Sequence, residues 1–417
     1  MALLAAISDY EVALERCLVL NAARNVMSPG ARALLGSRLA DGDLAGRPKE
    51  WGGQYAAAPA RAIENVARTL VDRLFGTPHV ELRALSGSLA NGLATIATTR
   101  PGDVLLMPPL WAFGHICVAR QGFPGSGART VAEIPWDGAA LGPDLDGLRG
   151  VLRQQPAQLV VLGLSRPLFP EPMAEVATMA KDAGARLLYD GAHVLGLIAG
   201  GAFPNPLASG FDMLTGSTHK TLPGPTGGVV VCRDPDTLEA VASLGDAWLS
   251  TYSNSRIAAL AYTLEEMVTE GHAYTRQIVD NARALARGLA AEGFPVVGAH
   301  RGFTATHQVL VDITDIGQPG DAVRRLAGAT ILINPPARAD RRLRDGRHDG
   351  WWLRLGTSAV TRLGMKEDEM PAIGRILARL LLHREDPSMV SGAVAELVEA
   401  FGTVRYTLAA GTVPGRS

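Results

Sequence analysis

Cysteine is scarce. Cys17, Cys117 and Cys232 are odd in number, far apart and set among apolar residues, which argues against a disulfide framework or a thiolate metal site and leads to the expectation of buried free thiols in a reducing cytoplasm. Neither sign of charge prevails, with 40 Lys plus Arg against 41 Asp plus Glu. Nothing in that balance marks a nucleic acid or a membrane surface as partner, and a small molecule is the simpler expectation. No apolar run approaches the roughly 20 residues of a membrane-spanning helix. The opening MALLAAISDYEVALERCLVL lacks the basic start and small-residue cleavage pattern of a secretory leader. No GxGxxG follows the early strands and no GxxxxGK[ST] occurs anywhere, which disfavours nicotinamide and P-loop chemistry.

What is present is a long apolar chain. With 417 residues, 47% of them hydrophobic, it exceeds one small domain and can bury a large core. Three segments are expected: an N-terminal helical arm at 1–40, a large α/β domain at 41–280 and a smaller α+β domain at 281–417. From about residue 56 to 228, helical patterns alternate with short apolar runs that end in Gly, Ser, Asp or Pro, as βα units do. Helices are predicted over 60–74, 89–98 and 173–182. The runs 104–107, 159–164, 185–189 and 228–232 are apolar throughout, as strands covered on both faces are. The fold class is therefore α/β with a mainly parallel sheet. A long helix from 255 through 288 leads to the C-terminal unit, where 308–313 and 352–355 read as strands and 320–326 and 367–382 as helices. The Arg/Asp/Gly/Pro-rich stretch 335–350 reads as a long surface loop.

The densest chemical signal is LLYDGAHVLGLIAGG at 187–201 followed by DMLTGSTHKTLPGPTGG at 212–228. An apolar strand delivers Asp190 at its C-terminal end, where ligands of open α/β sheets bind and where a carboxylate can pair with a ring nitrogen. Lys220 follows Ser217, Thr218 and His219 in a short polar turn, where an amine can be partly desolvated and made nucleophilic. Earlier, SGSLANGLA at 86–94 places Ser86, Gly87 and Ser88 before an apolar helix whose first N–H groups can hold a phosphate. An imine lysine, a ring-nitrogen carboxylate and a phosphate cup are the parts that a pyridoxal 5'-phosphate (PLP) enzyme supplies. Reading His193, His219 and Asp190 as a metal cluster fits no common zinc spacing, and no metal site is expected.

DGAH and THKTL, separated by GLIAGGAFPNPL, resemble the Asp-x-Ala-His and Thr-His-Lys-Thr-Leu motifs of the serine hydroxymethyltransferases. The resemblance extends to SGSLAN, the histidine of PLWAFGH, THQVLVDI at 306–313 and LRLGTSAVTRLG at 353–364. It implies PLP fold type I, with Lys220 carrying the cofactor as an imine and Asp190 on the pyridinium nitrogen. His115 would stack on the ring with His193 beside it, and Ser165 would meet the phenolic oxygen. Ser86, Gly87 and Ser88 would hold the phosphate, with Thr218 and His219 nearby. Arg354 would clamp the substrate carboxylate, and a homodimer with active sites at its interface would follow.

The departures lie where that family handles its one-carbon carrier. LADGDLAGRPKEWGG at 39–53 puts Leu39 in place of a tyrosine, Asp41 or Asp43 in place of a glutamate, and Glu50 and Trp51 in place of two tyrosines before Gly-Gly. INPP keeps Asn334 but has Pro336 for a second asparagine. YSNSRIA at 252–258 replaces a segment that touches the neighbouring subunit's phosphate. THKTLPGPTGG has Pro223 and Thr226 where two arginines are usual. Glu50 and Trp51 are accordingly candidate substrate contacts. The expected function is folate-independent and biosynthetic, of the kind found in antibiotic pathways. It would act on an α-amino acid by aldol or transaldol chemistry, or by β-elimination or decarboxylation and deamination of an S-substituted cysteine. Folate-dependent serine/glycine interconversion and a catalytically dead scaffold subunit are the alternatives.

Overall fold

The computed structural model describes residues 1–41, 43–45, 57–249, 251–343 and 349–409. It divides into two compact units, the larger built on Met27–Thr275 and the other on Met1–Val26 with Arg276–Tyr406.

The larger unit is organised by a seven-stranded sheet. Its strands are β1 (Val80–Glu81), β2 (Val104–Met107), β3 (Thr130–Glu133), β4 (Leu159–Leu162), β5 (Arg186–Asp190), β6 (Met213–Ser217) and β7 (Gly228–Cys232), in the spatial order β1-β7-β6-β5-β4-β2-β3. The five strands from β6 to β3 in this order run parallel, and β7 is antiparallel to both β6 and β1. β4, β6 and β7 are buried along their whole lengths, so the apolar runs read from the sequence are strands covered on both faces. The chain proceeds from β2 to β3 on one side and from β4 to β6 on the other. The point where strand order reverses is where open α/β sheets bind ligands. The register pairs Leu162 with Tyr189 and Asp190 with Thr215, which brings the C-terminal ends of β4, β5 and β6 level.

The helices relevant here are α1 (Ala57–Phe75), α2 (Gly87–Thr98), α3 (Met173–Asp182) and α4 (Asn254–Ala291). Ser86 caps α2, its hydroxyl accepting from the Leu89 amide at 3.1 Å. Ala90, Leu93 and Ala94 of α2 pack with Leu105, Leu159, Leu188, Met213 and Val230 in the core of this unit.

In the other unit, β8 (Gln308–Asp312) and β9 (Ala337–Ala339) both pair antiparallel with the central strand β10 (Gly350–Gly356). β9 corrects the reading of 335–350 as a structureless loop. Ala337, Arg338 and Ala339 take backbone partners from Trp352, Trp351 and Gly350, a pairing that composition does not reveal. Leu285, Val309, Val311, Leu353, Leu355 and Leu377 belong to the core of this unit. The helix Ala2–Glu15 has no buried residue. Among the described residues, no helix is long and apolar enough to cross a membrane.

Candidate active site

The C-terminal ends of the parallel strands gather most of the residues singled out from the sequence. Asp190 ends β5 and is 6% exposed. Its Oδ2 accepts from Asn91 Nδ2 at 2.8 Å and its Oδ1 from the Ala192 amide at 3.0 Å. Asn91, one turn into α2, is held in turn by Thr215, whose hydroxyl donates to Asn91 Oδ1 at 2.6 Å. The carboxylate is thereby fixed directly by α2 and the turn after β5, and through Asn91 by β6. Gly163, at φ +101°, lies so close that a β-carbon there would collide with the Asp190 carbonyl.

His115 and Cys117 follow β2. His115 Nδ1 accepts from the Cys117 amide at 3.2 Å and lies 2.9 Å from Cys117 Sγ. Because Nδ1 accepts, a neutral ring carries its proton on Nε2. Burial first, and the Asp190 carboxylate next, push the Cys117 thiol up to about 12, opposed by hydrogen bonds from Asn91 and Ser88 and by the Lys220 charge. His115, Cys117 and Asp190 offer donor atoms all within 4.8 Å of one another. With the thiol held protonated and both Asp190 oxygens engaged, this trio reads as a hydrogen-bond network, since a thiol binds metal as the thiolate.

Lys220 lies three residues beyond β6. Its turn is tied down on both sides by fully buried threonines. Thr218 Oγ1 donates to the Pro225 carbonyl at 2.5 Å while the Thr218 amide donates to Gly227 at 3.1 Å. Thr221 Oγ1 donates to the His193 carbonyl at 3.0 Å and accepts from the Gly196 amide at 3.1 Å. The bond to the His193 carbonyl ties the lysine turn to the DGAH turn, and His193 itself is 5% exposed. His219 has a buried Nδ1 without a hydrogen-bond partner among the described residues. Burial and then the Lys220 cation lower its pKa, against a backbone hydrogen bond with Gly227.

Gly87 opens α2, and a β-carbon on it would collide with Ser217 Oγ, so the first turn of α2 abuts the end of β6. Ser165, half-buried beyond β4, donates its amide to the Phe113 carbonyl at 2.9 Å. Beside it Arg166 stacks over the Phe113 ring at 4.4 Å, and burial lowers its pKa to about 10.

Arg354 is half-buried on β10 in the other unit, paired with Leu310. Glu50 and Trp51 lie outside the described residues. Asn91, Cys117, Ser217 and Arg166 were missed by sequence reasoning. Asn91 was within reach of it: it sits in SGSLAN, three residues after Ser88, on a helix whose first turn was already assigned to a ligand.

These residues fit PLP on their own chemistry. A buried, doubly hydrogen-bonded carboxylate suits a protonated ring nitrogen, the first turn of α2 suits a phosphate, and Lys220 suits an aldehyde. The family model described as serine hydroxymethyltransferase matches residues 3–377. The chain belongs to the serine hydroxymethyltransferase family. Curated serine hydroxymethyltransferases from Methanopyrus kandleri and Aeropyrum pernix are 36% and 37% identical to it, over 97% and 83% of this chain and 94% and 79% of theirs. Among solved structures, L-threonine transaldolase from Pseudomonas fluorescens, in its internal aldimine state, is similar with a TM-score of 0.88. The two share 28% sequence identity, with 97% of this chain and 92% of that one covered. The protein is a PLP-dependent enzyme of serine hydroxymethyltransferase type, and PLP is its cofactor.

Proposed function

We propose that this enzyme works without folate on a small α-amino acid, breaking or exchanging the bond to its β-carbon by aldol or transaldol chemistry in a specialised, antibiotic-type biosynthesis. One contrast within the chain carries the reading. The residues assigned to the cofactor are retained and are buried or half-buried, whereas the groups at the family's one-carbon positions are changed or engaged elsewhere. Asp41 is exposed and, among the described residues, pairs with exposed Arg38 at 3.9 Å. Asn334 spends its Oδ1 on the Ala22 amide at 2.9 Å, and Pro336 offers no side-chain donor. The transaldolase likeness supports the same direction.

PLP, when bound, supplies the aldehyde for the amino group and the electron sink that makes bonds at the α-carbon labile. The chain's residues do the rest. Lys220 would hold and release the cofactor and move a proton at the α-carbon. Asp190 would keep the proton on the ring nitrogen. His115, oriented by the Cys117 amide, would pack against the ring. Ser86, Gly87, Ser88, Thr218 and His219 would hold the phosphate, and Ser165 and His193 would lie beside the ring. Arg354 would receive the substrate carboxylate with its planar fork.

A homodimer with sites at its interface accompanies this reading. The helix Ala2–Glu15, none of whose residues is buried, presents Leu3, Leu4, Ile7 and Tyr10 to the outside, an apolar patch suited to a second copy. Light scattering of the purified protein should give twice the chain mass.

The deciding experiment incubates the purified enzyme with threonine, serine and S-substituted cysteines, with and without tetrahydrofolate and with added aldehydes, and identifies products by mass. New β-hydroxy amino acids formed without folate are expected. Pyruvate, ammonia or carbon dioxide from S-substituted cysteines would instead indicate elimination or decarboxylation. Serine-to-glycine conversion at an ordinary enzymatic rate that requires folate would overturn the proposal. Cytoplasmic residence belongs to the same reading and is checked by fractionation.

A further inference from the structure

Arg256 is a buried cation with no counter-ion of its own among the described residues. It is 8% exposed and enters from the first turn of α4. Its Nη2 donates to the Leu82 carbonyl at 2.5 Å, while Nε and Nη1 are buried without a hydrogen-bond partner among the described residues. The acid whose charge it feels, Glu81, is already committed to Arg83, with Glu81 Oε1 and Oε2 at 2.9 and 2.6 Å from Arg83 Nε and Nη2. An unpaired buried charge is strongly destabilising, and buried ions in proteins are accordingly paired. The missing partner is an anion.

The neighbours of Nη1 say which one. A β-carbon built on Gly227 would lie 2.5 Å from Nη1 and 3.2 Å from Thr218 Oγ1. Gly227 and Thr218 close the turn that carries Lys220. At the next residue, Gly228, a β-carbon would collide with the Ser86 carbonyl and lie 2.9 Å from the Gly87 amide. Arg256 thus sits beside the junction of the lysine turn with the first turn of α2. The cofactor group that meets small residues and open amides there is its phosphate, a dianion near neutral pH. Thr226 in the same turn carries no charge, so the cation comes from another element.

We infer that Arg256 binds the cofactor phosphate through Nη1 and Nε. The inference rests on the assignment of PLP to this site, and its test separates the two. Apo-protein is titrated with PLP and, separately, with pyridoxal, which has the same ring and aldehyde but no phosphate. The visible band of the Lys220 imine is followed, and apo-protein unfolding is recorded alongside.

Arg256→Met is expected to weaken PLP about 30- to 300-fold, as loss of charge-assisted bonds to a phosphate should. Pyridoxal should change less than about threefold, since the group that Arg256 pairs with is absent from it. Inorganic phosphate should compete with PLP in the native protein and much less in the variant. Arg256→Lys should recover part of the loss, and Gly227→Ala, which displaces Nη1 without altering the arginine, should reproduce its selectivity. Equal weakening of both ligands, or of neither, in variants whose apo forms unfold cooperatively overturns the inference. A native protein that forms no band with PLP would instead mean that the cofactor assignment itself is wrong.

Discussion

The two ends of the site in the larger unit are built on opposite principles. At the Asp190 end the chain completes its own hydrogen bonds: Asn91 and the Ala192 amide serve the carboxylate, Thr215 serves Asn91, and Cys117 sets His115. At the Arg256 end two guanidinium nitrogens and His219 Nδ1 are buried without partners among the described residues. A closed network fixes its groups before any ligand arrives, whereas open buried donors carry a cost that a ligand relieves. The contrast divides the labour of the site. In the proposed assignment, the end that would tune the ring is preorganised, and the end that would retain the cofactor is completed by it.

The hardest way to break the finished end is to neutralise it. Asp190→Asn keeps the shape and can keep the Asn91 contact, but the charge proposed to hold a proton on the ring nitrogen is lost. A decrease in kcat on the order of 10³-fold, or about 4 kcal/mol, is expected. Steady-state rates on the amino acid identified by the product screen provide the measurement, and a loss under tenfold would contradict the assigned role.

A comparable effect, on stability alone, is expected behind the open end. Arg83 binds Glu81 twice and Asp246 at 2.7 Å, and both Arg83 and Glu81 are at most 4% exposed. Arg83→Met strands Glu81 without its cation and should cost about 3–5 kcal/mol. Denaturant midpoints would show it, and a shift below about 1 kcal/mol would mean that the pair relaxes into solvent.

Glu171 gives a pH-dependent comparison. It is 6% exposed, accepts from Tyr189 Oη at 2.8 Å, and burial pushes its carboxyl from 4.5 up to about 7. A raised carboxyl pKa means that the folded state holds its proton longer than the unfolded one. Stability from this group is full below about pH 4.5 and is lost as pH rises to about 7. Glu171→Gln should therefore stabilise the protein by up to about 3 kcal/mol at pH 8 and by little at pH 4.5. Urea unfolding at the two values checks the sign, and equal effects at both would remove the titration from the account.

Much of the first end was legible in the sequence. Asp190, Lys220 and Ser86 stand at the ends of apolar runs or at the start of one helix, and such positions are local properties of a chain. Asn91 and Thr215 were not read, because the bond between them joins residues 124 apart and depends on the register of β5 with β6. Arg256 was hidden for the same reason. In YSNSRIA nothing distinguishes a surface arginine from one whose tip lies against Gly227. The strand at Ala337–Ala339 was missed because an edge strand needs only a backbone partner, and the sequence shows the partner's pattern alone. Asn91→Ala tests the unread part. It removes one donor from Asp190 and the acceptor for Thr215, so about a tenfold loss in kcat is expected from hydrogen bonding of this strength. No loss would mean that Ala192 suffices.

The smallest effect is expected at the residue whose surroundings look most reactive. Cys117 lies between His115 and Asp190 and is buried, and its thiol is held up near 12. A thiolate is the form that attacks and ligates, and at pH 8 it would be rarer here than in free cysteine by a factor on the order of 10³. Its contribution is therefore to fill space and orient His115. Cys117→Ala should cost less than about threefold in kcat, because the His115 bond from the Cys117 amide survives the substitution. Iodoacetamide should label Cys117 far more slowly than free cysteine at pH 8, as followed by peptide mass. Rapid labelling, or a loss approaching that of Asp190→Asn, would show that the end described as finished has a reactive group at its centre, and the division between the two ends would have to be redrawn around the thiol.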